Sequence, residues 1–166
     1  MRFPRVMVTG HRPQFLTVDQ QRWAELELER VAVKLRDHHG MQAGISGMAL
    51  GADTWWGFAT LYAWQELWAF IPFPQQPDRW RPEDVARWRE LRERATREVV
   101  VAGEYSVGAL HARNDQMLDY SDLVVAVWDP SKQTGGTASC VQKAQARRLP
   151  ILHVDPVAMT VTMKAP

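Results

Sequence analysis

Short apolar runs alternate with amphipathic stretches along the whole chain, and this alternation restricts the fold more than any other feature. Extended runs are predicted at Arg5–Thr9, Gln42–Ser46, Leu67–Pro72, Glu98–Ala102, Asp122–Trp128 and Pro150–Val154. Between the first two, Thr17 and Gln20 form a capping box. Ala24, Leu28, Val31 and Leu35 then recur at helical spacing on one stripe, as far as His38–Gly40. Further helices are predicted over Thr54–Gln65, from Pro82, over Ala109–Tyr120 and over Ala138–Arg148. Pro82, Glu83 and Asp84 supply a proline and acids to a first turn. Strands that alternate with helices predict an α/β fold: one three-layer domain, its mostly parallel sheet covered on both faces. The domain is expected over 1–154, with 155–166 as a C-terminal tail.

With 166 residues the chain suits one domain with a proper core. Its formal net charge of +1 makes nucleic acid an unlikely partner, since a concentrated basic excess is the usual footprint. One cysteine, Cys140, leaves no intramolecular disulfide and fits a reducing, cytoplasmic setting. No apolar run is long enough for a membrane span. The five histidines lack zinc-site spacing, so no metal and no cofactor is expected. Eight tryptophans are unusual. The predicted helix after Thr54 is apolar nearly all round, which marks it as buried or as shared with a second copy, and a homo-oligomer is expected.

In a parallel sheet, ligands bind at the carboxyl ends of the strands. Four loops fall there: Gly10–Pro13, Ser46–Asp53, Phe73–Gln76 and Asp129–Thr137. In the second, Gly47 and Gly51 flank Met48 and Ala49 before Asp53 opens a helix. A glycine loop running into a helix can hold an anion on free N–H groups; the same residues also make a plain tight turn. Gly135, Gly136 and Thr137 repeat the arrangement before the last helix.

VTGHRP (8–13), SGMALGADTW (46–55), PFPQQPDRW (72–80), EYSVGALHARNDQMLDYSDLVVAVWD (104–129) and TGGT (134–137) together resemble the YpsA-like family of the SLOG superfamily, which also contains the DprA and LOG proteins. The resemblance runs from Val8 to about Val154 and implies a Rossmann-like fold with a crevice for nucleotide-derived ligands. Ser46 to Asp53 is similar to the SG-x-A-x-G-x-D loop of DprA, which implies single-stranded DNA binding as one alternative. The segment His111–Asp122 is similar to that preceding the phosphate loop of LOG enzymes, which cleave the N-glycosidic bond of nucleoside monophosphates. Arg113 falls on their functional arginine. Their loop reads PGGxGTxxE, whereas here Cys140 stands at the glutamate position. A thiol cannot replace a carboxylate beside a developing oxocarbenium charge, so a glycosidase would need another acid: Asp53 or Asp129.

The functional reading is therefore a nucleotide-derived small ligand bound in the crevice, for sensing or sequestration, with a LOG-type phosphoribohydrolase as the alternative. Gly135, Gly136 and Thr137 are candidates to cradle a phosphate, with Arg113 as its guanidinium partner. Arg113 and Asp129 are the candidate catalytic groups. Gly10, His11 and Arg12 follow the first strand, where Arg12 is either a phosphate contact or a structural ion-pair partner. Asn114 either fixes Arg113, meets a ribose hydroxyl or serves as a cap. Asp53 and Asp129 are ribose contacts or turn caps. Phe73, Trp56 and Tyr105 are candidate stacking rings, and Gln76 a reader of a base edge. Cys140, near a helix start, is a candidate for a lowered pKa.

Overall fold

A computed structural model of the chain describes residues 1–164. Its strands are β1 (Arg5–Gly10), β2 (Ala43–Ser46), β3 (Glu66–Ile71), β4 (Arg97–Val100), β5 (Leu123–Val127), β6 (Ile151–Asp155) and β7 (Thr160–Lys164). The helices are α1 (Val18–His39), α2 (Ala52–Tyr62), α3 (Pro82–Arg94), α4 (Val107–Tyr120) and α5 (Gly136–Ala146), and a 3-10 turn, Pro13–Phe15, follows β1. The sheet order is β4-β3-β2-β1-β5-β6-β7. All neighbours pair in parallel except β6 and β7. This is the α/β, mostly parallel, Rossmann-like architecture expected.

The chain first walks outward from β1 to β4, then jumps back across β1 to β5. Right-handed crossovers in opposite directions put their helices on opposite faces. Accordingly α1 and α2 pack with Val6, Val8, Leu123 and Val125 on one face, while α4 and α5 pack with Met7, Val124 and Ala126 on the other. α3 joins α2 on the first face through Trp88 and Leu91. β5, LVVAV, is buried at every residue, as a strand covered on both sides must be. Strand order reverses between β1 and β5, and that switch point opens a crevice at their carboxyl ends.

Local signals explain the helix ends. Thr17 and Gln20 make the reciprocal capping box, with the Gln20 N–H donating to Thr17 Oγ1 at 3.2 Å and the Thr17 N–H to Gln20 Oε1 at 3.0 Å. Gly40, at φ 64°, closes α1 in the left-handed conformation.

Two expectations change. The stretch 155–166 was expected as a tail, yet residues 160–164 pair antiparallel with β6 and extend the sheet; Ala165 and Pro166 lie outside the described residues. Also, α2 is apolar all round because it is wrapped by its own chain, by α1, α3 and the sheet. Trp56 is fully buried and its Nε1 donates to Val6 O at 3.3 Å. Only its C-terminal end is open: Tyr62, and Trp64 just beyond the helix, face solvent. Among the described residues no helix is long and apolar enough to cross a membrane.

Candidate functional site

A cleft of about 690 Å³ lies at the switch point. One wall comes from the segment after β1 with Ala49 and Asp53, and another from the first turns of α4 with Arg113 and Asn114. The floor rim is the 132–137 segment leading into α5. Among the predicted site residues, Gly10, His11, Arg12, Ala49, Asp53, Arg113, Asn114, Gly135, Gly136 and Thr137 line it together.

The N-terminus of α5 opens onto this cleft. Its N-cap, Gly135, has φ 96° and ψ −179°, a conformation that excludes side chains. No side chain caps the helix and no acid sits in its first turn. The first intrahelical bond is Ser139 N–H to Gly135 O at 3.0 Å, so the N–H groups ahead of Ser139 are left for other acceptors. A Cβ added at Gly135 or Gly136 would meet nothing within 4 Å. Backbone donors at the positive end of a helix, bordering open space, are the physical requirement for holding a phosphate.

The glycine loop after β2 is arranged differently. Three of its N–H groups are engaged within the protein: Met48 N–H donates to Ser46 Oγ at 3.1 Å, Ala49 N–H to Asp53 Oδ2 at 3.2 Å, and Ala52 N–H to His11 O at 3.3 Å. Gly51, at φ 83°, is required because a Cβ there would stand 2.5 Å from His11 O. These bonds make the loop a brace for the cleft wall. Ser46, Gly47, Met48 and Gly51 lie behind the lining.

What the brace holds is Arg113. Only 6% exposed, it donates from Nη1 to Gly47 O and from Nε to Asn114 Oδ1 at 2.8 Å. Nη1 also stands 3.9 Å from Asp53 Oδ2. Nη2 has no protein acceptor among the described residues, and Arg113 borders the cleft. Burial pushes the Asp53 carboxyl above its ordinary value against the pull of Arg113, and burial likewise lowers the Arg113 guanidinium. Asp53 is the one carboxylate among the lining residues, against the cations of Arg12, Arg113 and Lys132.

Other predicted residues serve the scaffold. Gln76 donates from Nε2 to Gly47 O at 3.1 Å and accepts from Trp88 Nε1 at 3.0 Å, so both ends of its amide are engaged away from the cleft. Phe73 is buried edge-on against Tyr105, ring centroids 5.3 Å apart, and neither ring reaches the lining. Trp56 is wholly inside the core. Asp129 is also outside the lining: its Oδ1 accepts from Ser131 N–H at 3.0 Å, and these bonds hold its carboxyl below the ordinary value. Its own N–H donates to His11 Nε2 at 3.0 Å. An accepting Nε2 requires a neutral ring, and burial first, then Lys132, lowers the His11 pKa. Cys140 is packed at 1% exposure and burial raises its thiol, the opposite of a reactive cysteine.

Sequence reasoning missed Gln14, Phe15, Lys132 and Thr134 in the lining, and Val107 and Leu110 on the α4 side. Phe15 and Lys132 lie within a few residues of predicted positions, but nothing local marks their exposure. Among the described residues no group of three His, Cys, Asp or Glu could hold a metal ion.

No family model matches the chain, and no curated protein matches it either. Solved structures do share its fold. DNA processing protein A (DprA) from Streptococcus pneumoniae is 19% identical with a TM-score of 0.67, over 92% of this chain and 50% of that one. The single-stranded-DNA-binding DprA from Helicobacter pylori is 17% identical with a TM-score of 0.63, over 92% and 66%. The molybdenum cofactor carrier protein of Chlamydomonas reinhardtii is 17% identical with a TM-score of 0.57, over 92% and 76%. The chain spans half the length of the first of these. At such identities the likeness defines a fold class: a Rossmann-like α/β domain of the kind found in DprA and in the cofactor carrier.

Proposed function

We propose that this protein binds a phosphorylated, nucleotide-derived small ligand in the cleft between β1 and β5, as a YpsA-like member of the SLOG superfamily. One observation carries the reading: the open N-terminus of α5, at Gly135–Thr137, and the buried guanidinium of Arg113 border the same cavity. The backbone donors take the phosphate and Arg113 Nη2 adds an always-charged contact. Both kinds of relative lend support, since one is named for carrying a cofactor and another for binding DNA.

The test is a thermal-shift panel of nucleoside mono- and diphosphates, cyclic nucleotides and ADP-ribose. A ligand at a hundred times its dissociation constant stabilises the fold by about 2.7 kcal/mol. Gly136→Ala should clearly reduce the shift. No shift with any ligand of the panel would refute the reading.

A hydrolytic alternative rests on Asp53. Asp53 is the carboxyl at the cleft wall, and burial raises it from its ordinary value, the direction a general acid for a departing base needs; Cys140, at the position of the LOG glutamate, cannot take that role. Incubation with AMP decides: adenine release that Asp53→Asn abolishes supports hydrolysis, and none leaves binding alone. Binding of single-stranded DNA would appear as a steep salt dependence. A cytoplasmic location and self-association through the Tyr62–Trp64 end of α2 are further parts of the proposal. A monomeric mass at micromolar concentration would remove the second.

A further inference from the structure

The cleft contains one aromatic ring of the Phe, Tyr or Trp kind among its described lining residues, and it is none of the rings the sequence put forward. Phe15 is 53% exposed although it borders the cavity. Its backbone is firmly held. Phe15 N–H donates to Arg12 O at 3.1 Å and Leu16 N–H to Pro13 O at 3.0 Å, closing the 3-10 turn. Gln21 Nε2 donates to Pro13 O at 3.0 Å and to Leu16 O at 3.1 Å, tying the turn to α1. Leu16 is buried in the core directly after it. An apolar ring is thus held out at the cavity by a stapled turn, where folding alone gives it little to bury against.

Its neighbours are informative. Lys132 Nζ lies 5.0 Å from the ring centroid and donates to Phe15 O at 3.2 Å. The His11 ring is 6.0 Å away, tilted by 50°. Lys132, which lies over the ring face, belongs to the segment that continues into Gly135 and Gly136, and all of these residues line the same cavity. Val107 and Leu110 add apolar lining from α4.

We propose that Phe15 is the stacking platform for a flat heteroaromatic ring of the ligand, and that Lys132 moves from the ring face to the phosphate when such a ring stacks there. This rests on the reading of the cleft as a phosphate site and narrows it to ligands that join a heteroaromatic ring to a phosphate, as a nucleoside phosphate does. A stacked base is held more strongly than one exposed ammonium over a phenyl face, so the exchange is favourable. A sugar phosphate without a base has no use for Phe15.

The experiment compares AMP with ribose 5-phosphate by isothermal titration calorimetry, on the wild type and on Phe15→Ala and Phe15→Tyr. The wild type should bind AMP about tenfold more tightly than ribose 5-phosphate. Phe15→Ala should abolish that preference by weakening AMP alone, and Phe15→Tyr should restore it. Circular dichroism confirms that each variant is folded. Equal affinity of the wild type for both probes, or a Phe15→Ala variant that weakens both equally or neither, overturns the stacking role and leaves the phosphate site standing. Failure of both probes to bind the wild type overturns the stacking role, while the phosphate site stands or falls with the thermal-shift panel.

Discussion

Arg113 Nη1 stands 3.9 Å from Asp53 Oδ2, with the two side chains only 8% and 12% exposed. Burial shifts both groups against ionisation, so desolvation outweighs their attraction. Such a pair is a poor source of stability but is costly to break, because the survivor is left charged and buried. Arg113→Met or Asp53→Asn alone should destabilise the fold by about 3 kcal/mol. The double variant should lose clearly less than the sum, with a coupling of about 1–3 kcal/mol. Urea unfolding at neutral pH measures all three, and strict additivity would show that the pair is not coupled.

The glycines around the cleft separate into those the fold needs and those only the proposed phosphate ligand would need. A Cβ at Gly47 would press on Arg113 Nη1 and come within 2.7 Å of Asp53 Oδ2, so Gly47→Ala should expel the guanidinium and destabilise the protein. Gly135→Ala has room but the wrong backbone, at a cost of about 1–3 kcal/mol. Gly136→Ala has both room and an ordinary backbone. Its melting temperature should stay close to wild type, while phosphate-ligand affinity falls at least tenfold. Retained affinity in Gly136→Ala would remove α5 from the site.

Gln76 bridges Gly47 O and Trp88 Nε1. Gln76→Ala leaves a buried indole N–H without a partner and frees the loop that holds Arg113, at a cost of about 1–3 kcal/mol. Its effect on binding should be the same for adenine, guanine and pyrimidine monophosphates. A change in base preference, read by calorimetry across that set, would return Gln76 to a reading role.

His11 gives the fold a pH dependence with a fixed sign. Its folded pKa lies below the ordinary value because it is buried and faces Lys132. The unfolded chain therefore takes up the proton first, near pH 6.5. The stability His11 contributes is complete above that pH and is lost as pH falls through 6.5 toward the folded value. Asp53 slopes the other way: its raised carboxyl gives stability present below about pH 3.9 and lost as pH rises through its folded value. Denaturant midpoints at pH 7.5 and 5.5 should differ in the wild type. They should differ less in His11→Gln, whose amide oxygen still accepts from Asp129 N–H but does not titrate.

Most of the architecture was legible because burial on both faces forces parallel strands to read as unbroken apolar runs, as in LVVAV at 123–127. β7 was not, because TVTMK forms an edge strand with exposed residues and no such run. In the site, Gly135–Thr137 and Arg113 announced themselves by loop and residue type. Gln76 did not reveal its duty, since its acceptor and donor partners lie 29 and 12 residues away in sequence. The candidate stacking rings lie off the cleft for a related reason. Whether an aromatic is interior or facing a cavity is decided by tertiary packing, which buries Phe73 and leaves Phe15 half open.

The brace formed by Ser46, Asp53 and Gln76 also bears on kinetics. A wall already fixed by its own hydrogen bonds needs no backbone closure before a guest is held, only a fast side-chain adjustment such as that of Lys132. Capture there should be a single bimolecular encounter, its observed rate climbing in proportion to ligand concentration without reaching a plateau.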